Sequence, residues 1–232
     1  CTAKKFEATR PERRASGFKD VDFVLTTREL AIMIKQAGLE FDHLPNEQFD
    51  SIMGSSSGAA VIFGSTGGVM EAALRTAYEV VTGREVPFDG LNITPVRGTE
   101  GEVREAIIKI ENVKPEWSFL EGAELRCAVA NGLAHAKNLW QNVKEGKANY
   151  HFIEVMACPG GCLGGGGQPI PTNKDIRSKR KQAIYEEDMG MSIRKSHENP
   201  EIIAIYKEFL EKPLGHKSHE LLHTTYTPRK RY

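Results

Sequence analysis

The apolar positions of this chain follow two periods that alternate along its length. Asp22-Phe23-Val24-Leu25, three apolar residues behind an aspartate, predicts a short buried strand. It leads into Thr26-Thr27-Arg28-Glu29, where a hydroxyl three residues ahead of a glutamate is the capping-box pattern of a helix start. That helix continues over 30–37, and Gly38 is its stop. Residues 59–63 make a second apolar run, read as a strand and closed by Gly64-Ser65-Thr66-Gly67-Gly68. Beyond the turn, Val69, Ala72, Ala73, Ala77, Val80 and Val81 recur at helical spacing as far as Gly83. A third strand is predicted at 125–130 with a helix at 131–144, and a fourth strand at 150–157. Strands alternating with helices of this length predict an α/β fold, parallel sheet flanked by helices.

Two stretches depart from the alternation. Residues 91–96 and 105–111 look extended, with glycines and charges between them, and predict an antiparallel excursion. Past Gly167 the pattern turns helical: a charged helix at 175–189, then one that starts at Asn199-Pro200-Glu201 and runs to 210. There Asn is the N-cap, and Pro takes the first helical position, where its missing N–H does no harm. Residues 1–169 are thus the body of the protein and 170–232 a helical carboxy-terminal appendage.

A length of 232 residues suits one large domain or two small ones, with 40% hydrophobic residues to fill them. The 31 basic side chains balance 31 acidic ones, so charge supplies no footprint for nucleic acid or an anionic membrane. No apolar run nears the roughly 20 residues of a membrane helix, and no signal-peptide pattern opens the chain. A cytoplasmic location is the expectation, with the periplasm as the alternative. The first residues are Cys1-Thr2-Ala3, with no initiator Met, as expected of a carboxy-terminal piece of a longer polypeptide.

The four cysteines are too sparse for a disulfide scaffold. Two of them bracket Cys158-Pro159-Gly160-Gly161-Cys162 at the end of a predicted strand, the usual ligand position of an open α/β sheet. With Gly164 to Gly167, six glycines fall within eight positions, each with an entropic cost to folding. Bare backbone at that density suits close approach to a bulky group, and thiolates surrounded by amides suit an iron–sulfur cluster. Two other readings of the pair stand beside it. A redox pair has two intervening residues where this one has three, and zinc needs further ligands, for which His135 and His151 are available. Cys1 is a third cluster ligand from a distant segment, whereas Cys127, inside an apolar strand, is expected to be core packing. A fourth ligand is then expected upstream of residue 1. The turn from Phe63 to Val69 enters a helix N-terminus, which favours anions; tight packing is its alternative.

These residues carry a resemblance. Cys158-Pro159-Gly160-Gly161-Cys162, with Met156-Ala157 before it and Gly165-Gly166-Gly167-Gln168-Pro169 after it, resembles the third signature of [FeFe] hydrogenases. Cys1-Thr2-Ala3-Lys4-Lys5-Phe6-Glu7-Ala8 is similar to their second signature, entered at its cysteine. Phe63 through Arg75 resembles the strand-turn-helix between the two. Lys195-Ser196-His197-Glu198-Asn199-Pro200 and Leu221-Leu222-His223-Thr224 are similar to the family's small-subunit segment. The resemblance implies part of a two-lobed fold around the H-cluster, a [4Fe-4S] cubane joined through a cysteine sulfur to a di-iron unit with CO, cyanide and dithiolate ligands. It implies that Cys1 and Cys158 ligate the cubane and that Cys162 ligates it and bridges to the di-iron unit. Lys4 then faces an iron-bound cyanide as a compact three-donor cation. Met156 forms a soft apolar wall, and Phe63, Gly64 and Val69 line the pocket.

The implied activity is reversible reduction of protons to dihydrogen, with a ferredoxin or an NAD(P)H-linked subunit as electron partner and maturation proteins supplying the di-iron unit. The first signature, with the fourth cubane ligand and a proton-relaying thiol, is absent from these residues, so this stretch alone is expected to be inactive. A hydrogenase-like iron–sulfur assembly protein and a hydrogen sensor are the competing readings. Arg177, Lys179, Arg180 and Lys181, and the basic tip at 228–232, are expected to be solvated surface, with docking of an acidic electron carrier as the alternative. His197, His216, His219 and His223 lie at irregular spacing in the tail and are expected to make structural hydrogen bonds.

Overall fold

The structure, a computed structural model, describes residues 1–14, 16–50, 53–88 and 103–228. The extended stretch predicted at 91–96 and residues 229–232 of the basic tip lie outside them. In chain order the elements are α1 (Thr2–Glu7), α2 (Thr27–Gln36), α3 (Gly58–Val61), α4 (Gly68–Thr82), β1 (Val103–Lys109), β2 (Glu124–Asn131), α5 (Leu133–Lys144), β3 (Phe152–Met156), α6 (Lys174–Gly190), α7 (Pro200–Ile205) and α8 (His216–Leu222), with short 3₁₀ turns between some of them. They divide into two units. The first gathers Cys1–Ser55, Gly166–Ile170 and Pro200–Tyr232, the second Ser56–Gly165 and Pro171–Asn199.

In the first unit the capping box forms as expected. Glu29 N–H donates to Thr26 Oγ1 at 3.2 Å, and Thr26 N–H donates to Glu29 Oε2 at 2.7 Å. The Thr26 amide holds the Glu29 carboxyl down at about 2. The run at 22–25 is not a strand. Its backbone finds no partner strand among the described residues of this unit, and Phe23 stays 88% exposed. Distant segments meet here through main-chain bonds, Thr2 N–H to Gly166 O at 3.0 Å and Arg28 N–H to Gly167 O at 3.3 Å.

The second unit holds the sheet, in the order β1-β2-β3. β1 runs antiparallel to β2, with Ala106 opposite Cys127, as the excursion at 105–111 predicts. β2 and β3 are parallel, Cys127 aligned with Phe152 and Asn131 with Met156, and α5 is the crossover between them. The fold is therefore α/β, a mixed sheet flanked by helices. Residues 127–131 of β2 are all buried because both faces are covered. Cys127 and Val129 join Met70, Leu74 and Tyr78 of α4, whereas Ala128 and Ala130 join Leu139 of α5.

The apolar run at 59–63 is helical, which corrects the second predicted strand. It forms α3 and a 3₁₀ turn at Ile62–Gly64. The Ser57 hydroxyl accepts from Ala60 N–H at 3.3 Å and starts the helix. Burial of Ala59 and Ile62 uses the same apolar residues that a strand would, so pattern alone does not separate the two.

The unit is cross-braced by a buried ionic group. The Arg75 guanidinium on α4 grips Asp188 of α6 with both nitrogens, at 2.7 and 2.8 Å, and donates to Glu71 Oε1 at 2.7 Å. Arg194 donates to Asp188 Oδ2 at 2.6 Å, and Tyr185 O–H to Glu71 Oε2 at 3.2 Å. Arg75, Glu71 and Asp188 are each 0% exposed. Burial pushes the Asp188 carboxyl up, but the hydrogen bonds and charges of Arg75 and Arg194 outweigh it and hold the group below the usual range.

Asp188→Ala strands Arg75 in the core and should destabilise the unit by about 3–5 kcal/mol, read as a lowered melting temperature. Because the native Asp188 value is depressed, its contribution is complete above the unfolded value of about 3.9 and is lost as pH falls through the lower native one. Asp188→Asn should therefore start less stable at neutral pH and lose less on acidification than the unaltered chain.

Candidate metal centre

β3 delivers the cysteine loop. After Met156 the chain reverses through Gly160 and Gly161, at φ +74° and +84°, and Gly161 N–H closes the turn on Cys158 O at 2.9 Å. A 3₁₀ turn over Cys162–Gly164 follows, with Gly165 N–H bonded to Cys162 O at 3.2 Å. Gly161 lies across a single β-bridge from Ser65, and Thr66 N–H donates to Gly160 O at 3.3 Å. A Cβ at Gly161 would stand 2.8 Å from Thr66 N and 3.0 Å from Gly64 O, so glycine is needed there for its dihedral and for the approach. The loop and the 63–69 turn are thereby one structure.

Asn131, at the buried end of β2, ties that structure together. Its Nδ2 donates to Cys158 O at 2.7 Å, Thr66 Oγ1 at 3.1 Å and Met156 O at 3.4 Å, while Oδ1 accepts from Gly160 N–H at 3.5 Å. Glu154 of β3 caps α4: Oε1 accepts from Gly67 N–H at 2.6 Å and Oε2 from Met70 N–H at 2.7 Å. Burial raises the Glu154 carboxyl above its ordinary value against these amides and the Arg104 charge. The anion expected at this helix N-terminus is thus the protein's own carboxylate. Neither residue was singled out from the sequence, although a lone carboxylate within Phe-Ile-Glu-Val-Met signals a buried partner.

Arg180, from α6, donates to Leu163 O at 2.8 Å, and Arg177 reaches Thr172 O at 3.5 Å. Two of the four basic residues expected on a solvated face thus fasten the loop and the segment after it. His151 Nδ1 accepts from Arg126 N–H at 3.0 Å. A carboxylate–imidazole group of Glu79, His197 and Glu198 has the makeup of a metal site. The Lys195 ammonium already sits among its members, 2.6 Å from Glu79 and 2.8 Å from Glu198.

Cys158 is half-buried, Cys162 exposed and Cys127 buried, and none of the four cysteines forms a disulfide. Burial pushes the Cys127 thiol up to about 11, in keeping with a core role. Met156 closes β3, half-buried. Phe63 and Val69 line an apolar groove of about 560 Å³ along α4, with Ala73, Ala77, Val80 and Trp117. Cys1 and Lys4 belong to the first unit. Cys1 precedes α1 and is half-buried. Lys4 pairs with Glu7, which also accepts from Arg13. The Lys4 hydrogen bond is the main cause holding the Glu7 carboxyl below its ordinary value.

The model of the iron-only hydrogenase large subunit, C-terminal domain, matches residues 1–166, and that of the iron hydrogenase small subunit matches 174–229. The chain belongs to the iron-only hydrogenase family. It is 49% identical over its full length to the NADP-reducing hydrogenase subunit HndD of Solidesulfovibrio fructosivorans, of which it covers 37%. It is 44% identical over 97% of its length to iron hydrogenase 1 of Clostridium pasteurianum, covering 38% of that protein. A solved variant of [FeFe]-hydrogenase HydA1 from Chlamydomonas reinhardtii superposes with a TM-score of 0.77 at 43% identity, over 97% of this chain and 61% of that one. The family relation extends to the cytosolic Fe-S cluster assembly factor narfl of Xenopus tropicalis, 30% identical over 97% of this chain and 46% of the relative. The chain thus spans 37–46% of the length of these curated relatives.

At pH 8 an alkylating reagent should modify Cys158 and Cys162 well before Cys127, read by peptide mass mapping of the native chain. Asn131→Ala, which removes four hydrogen bonds to the loop and turn, should accelerate modification of Cys158 and Cys162 and destabilise the unit by about 1–3 kcal/mol.

Proposed function

We propose that the chain is the larger part of a hydrogenase H-cluster domain, with residues 1–169 as the large-subunit portion and 170–232 as the small-subunit portion. The observation that carries the reading is the main-chain bond from Thr2, next to Cys1, to Gly166, four residues after Cys162 in sequence. It ties the segment that carries Cys1 to the glycine run that follows the cysteine pair in sequence. Within the second unit the residues suit a bulky sulfur-rich group. Cys158 and Cys162, neither in a disulfide, sit on a loop held from three sides. Glycine at 165 leaves open the space where a Cβ would stand 3.8 Å from Cys158 Sγ. The Ser65 hydroxyl, buried opposite Gly161, has no hydrogen-bond partner among the described residues.

In this reading Cys1, Cys158 and Cys162 would hold a [4Fe-4S] cubane, and Cys162 would also hold a di-iron unit carrying CO, cyanide and dithiolate. When bound, the group supplies electron storage and an open iron position for reversible proton reduction to dihydrogen. The chain's own residues hold and shield it. Asn131 and Gly161 keep the loop's curvature, so the thiols are presented without rearrangement. Lys4 contributes a three-donor cation toward a cyanide ligand, and Met156 with Phe63, Gly64 and Val69 contributes a wall that excludes water. Electrons would pass to or from a ferredoxin or an NAD(P)H-linked subunit. Maturation proteins deliver the di-iron unit, and the location is cytoplasmic.

The relation to cytosolic assembly factors favours a second reading, an iron–sulfur protein with no di-iron unit. Anaerobic reconstitution with iron and sulfide, followed by iron analysis and EPR, tests the cubane. Cys1→Ala, Cys158→Ala and Cys162→Ala should each lower bound iron severalfold, and Cys127→Ala should not. Equal iron in all four variants would refute the ligand set. Infrared bands of iron-bound CO and cyanide in the parent protein separate hydrogenase from assembly factor. Lys4→Ala should lower di-iron retention and activity together.

A further inference from the structure

The last helix and its C-cap carry His219-Glu220-Leu221-Leu222-His223, two imidazoles four residues apart with a carboxylate between them. On a helix this spacing sets both rings on one face, one turn apart. Structural hydrogen bonding is the role expected of the tail histidines, and His197 fills it, with Nδ1 3.1 Å from Thr76 Oγ1. His219 and His223 do not. Neither ring makes a hydrogen bond or ion pair with a described residue, and the rings meet each other instead, centroids 4.3 Å apart and planes tilted by 46°.

The backbone holds them in that relation. His223 has already left helical dihedrals, at φ −103° and ψ 150°, yet its N–H still donates to His219 O at 3.2 Å and keeps it in register. The base of α8 is fastened by the buried Ser218 hydroxyl, 3.0 Å from Lys212 O and 2.9 Å from Gly215 O. Lys217, the nearest cation in sequence, sits with its ammonium 3.8 Å from the Phe209 ring centroid. At the first turn His216 is almost fully exposed, with Nδ1 3.9 Å from Glu220 Oε2.

We propose that His219 and His223 chelate a divalent cation of the borderline class, Zn²⁺ or Ni²⁺, at a site independent of the cysteine loop. Neutral imidazole offers one ring-nitrogen lone pair, and cations of this class prefer that donor. Two donors tied to each other by the His223 N–H to His219 O bond lose little freedom on binding. Among the described residues no third His, Cys or carboxylate closes on this pair, so water completes the coordination, with Glu220 beside it. The site thus binds a metal and lacks the three protein ligands of a hydrolytic zinc centre.

Calorimetric titration with Zn²⁺, on chain whose thiols are blocked with N-ethylmaleimide, tests this. One zinc should bind per chain, and His219→Ala and His223→Ala should each weaken it by roughly tenfold or more, whereas His216→Ala should leave it unchanged. Circular dichroism checks that the variants remain folded. Should they not, imidazole ¹⁵N shifts of the unaltered chain under substoichiometric Zn²⁺ give the same answer, His219 and His223 moving first. Zinc binding that survives both alanine changes, that vanishes once the thiols are blocked, or that moves only other histidine rings overturns the proposal.

Discussion

Arg75 has no exposed atom, and its guanidinium pairs with both Glu71 and Asp188 in the core of the sheet-bearing unit. A buried charge is tolerated only when its partners saturate it. Saturation here requires α4, α6 and the segment through Arg194 to meet in one arrangement, since each brings a partner. The consequence reaches the cysteine loop. α4 begins at the turn that bridges to Gly161, and α6 carries the arginine that binds Leu163. Fixing the two helices to each other fixes two of the three supports of the loop.

The third support is the sheet, and it acts through polar groups placed where apolar ones would pack as well. Asn131 ends a strand whose four preceding residues are fully buried, and Glu154 interrupts an apolar strand to cap α4. Buried amides and carboxyls are costly unless satisfied, and both are satisfied by main-chain groups of the loop, the turn or the helix. That satisfaction is directional, whereas burial of Val or Leu is not. Polar groups here set the geometry, and the surrounding alanines and valines supply the driving force.

Much of this was readable from local rules. The Thr26–Glu29 capping box, α4 with its Gly83 stop, the proline-led α7 and the strand that ends in the cysteine loop depend on neighbours within a few residues. The two misread runs were short and mostly apolar, at 22–25 and 59–63. A four- or five-residue apolar run is a strand only if another backbone offers hydrogen bonds, and that offer comes from elsewhere in the chain. The cysteine pair and its glycines were legible as chemistry; Asn131 and Glu154 were not, because their partners lie 25 or more positions away.

Residue order alone determined which atoms are available: four thiols, a glycine-dense loop with no side chains to obstruct it, and helices whose start and stop signals are local. Tertiary structure alone decided which of those atoms are held and how. It filled a helix N-terminus with Glu154, turned Arg177 and Arg180 from surface charges into anchors, and buried Cys127 beyond easy ionisation. The reason is range. Dihedral preference and capping act within a turn, whereas desolvation and hydrogen-bond satisfaction are settled only once remote segments have displaced the water between them.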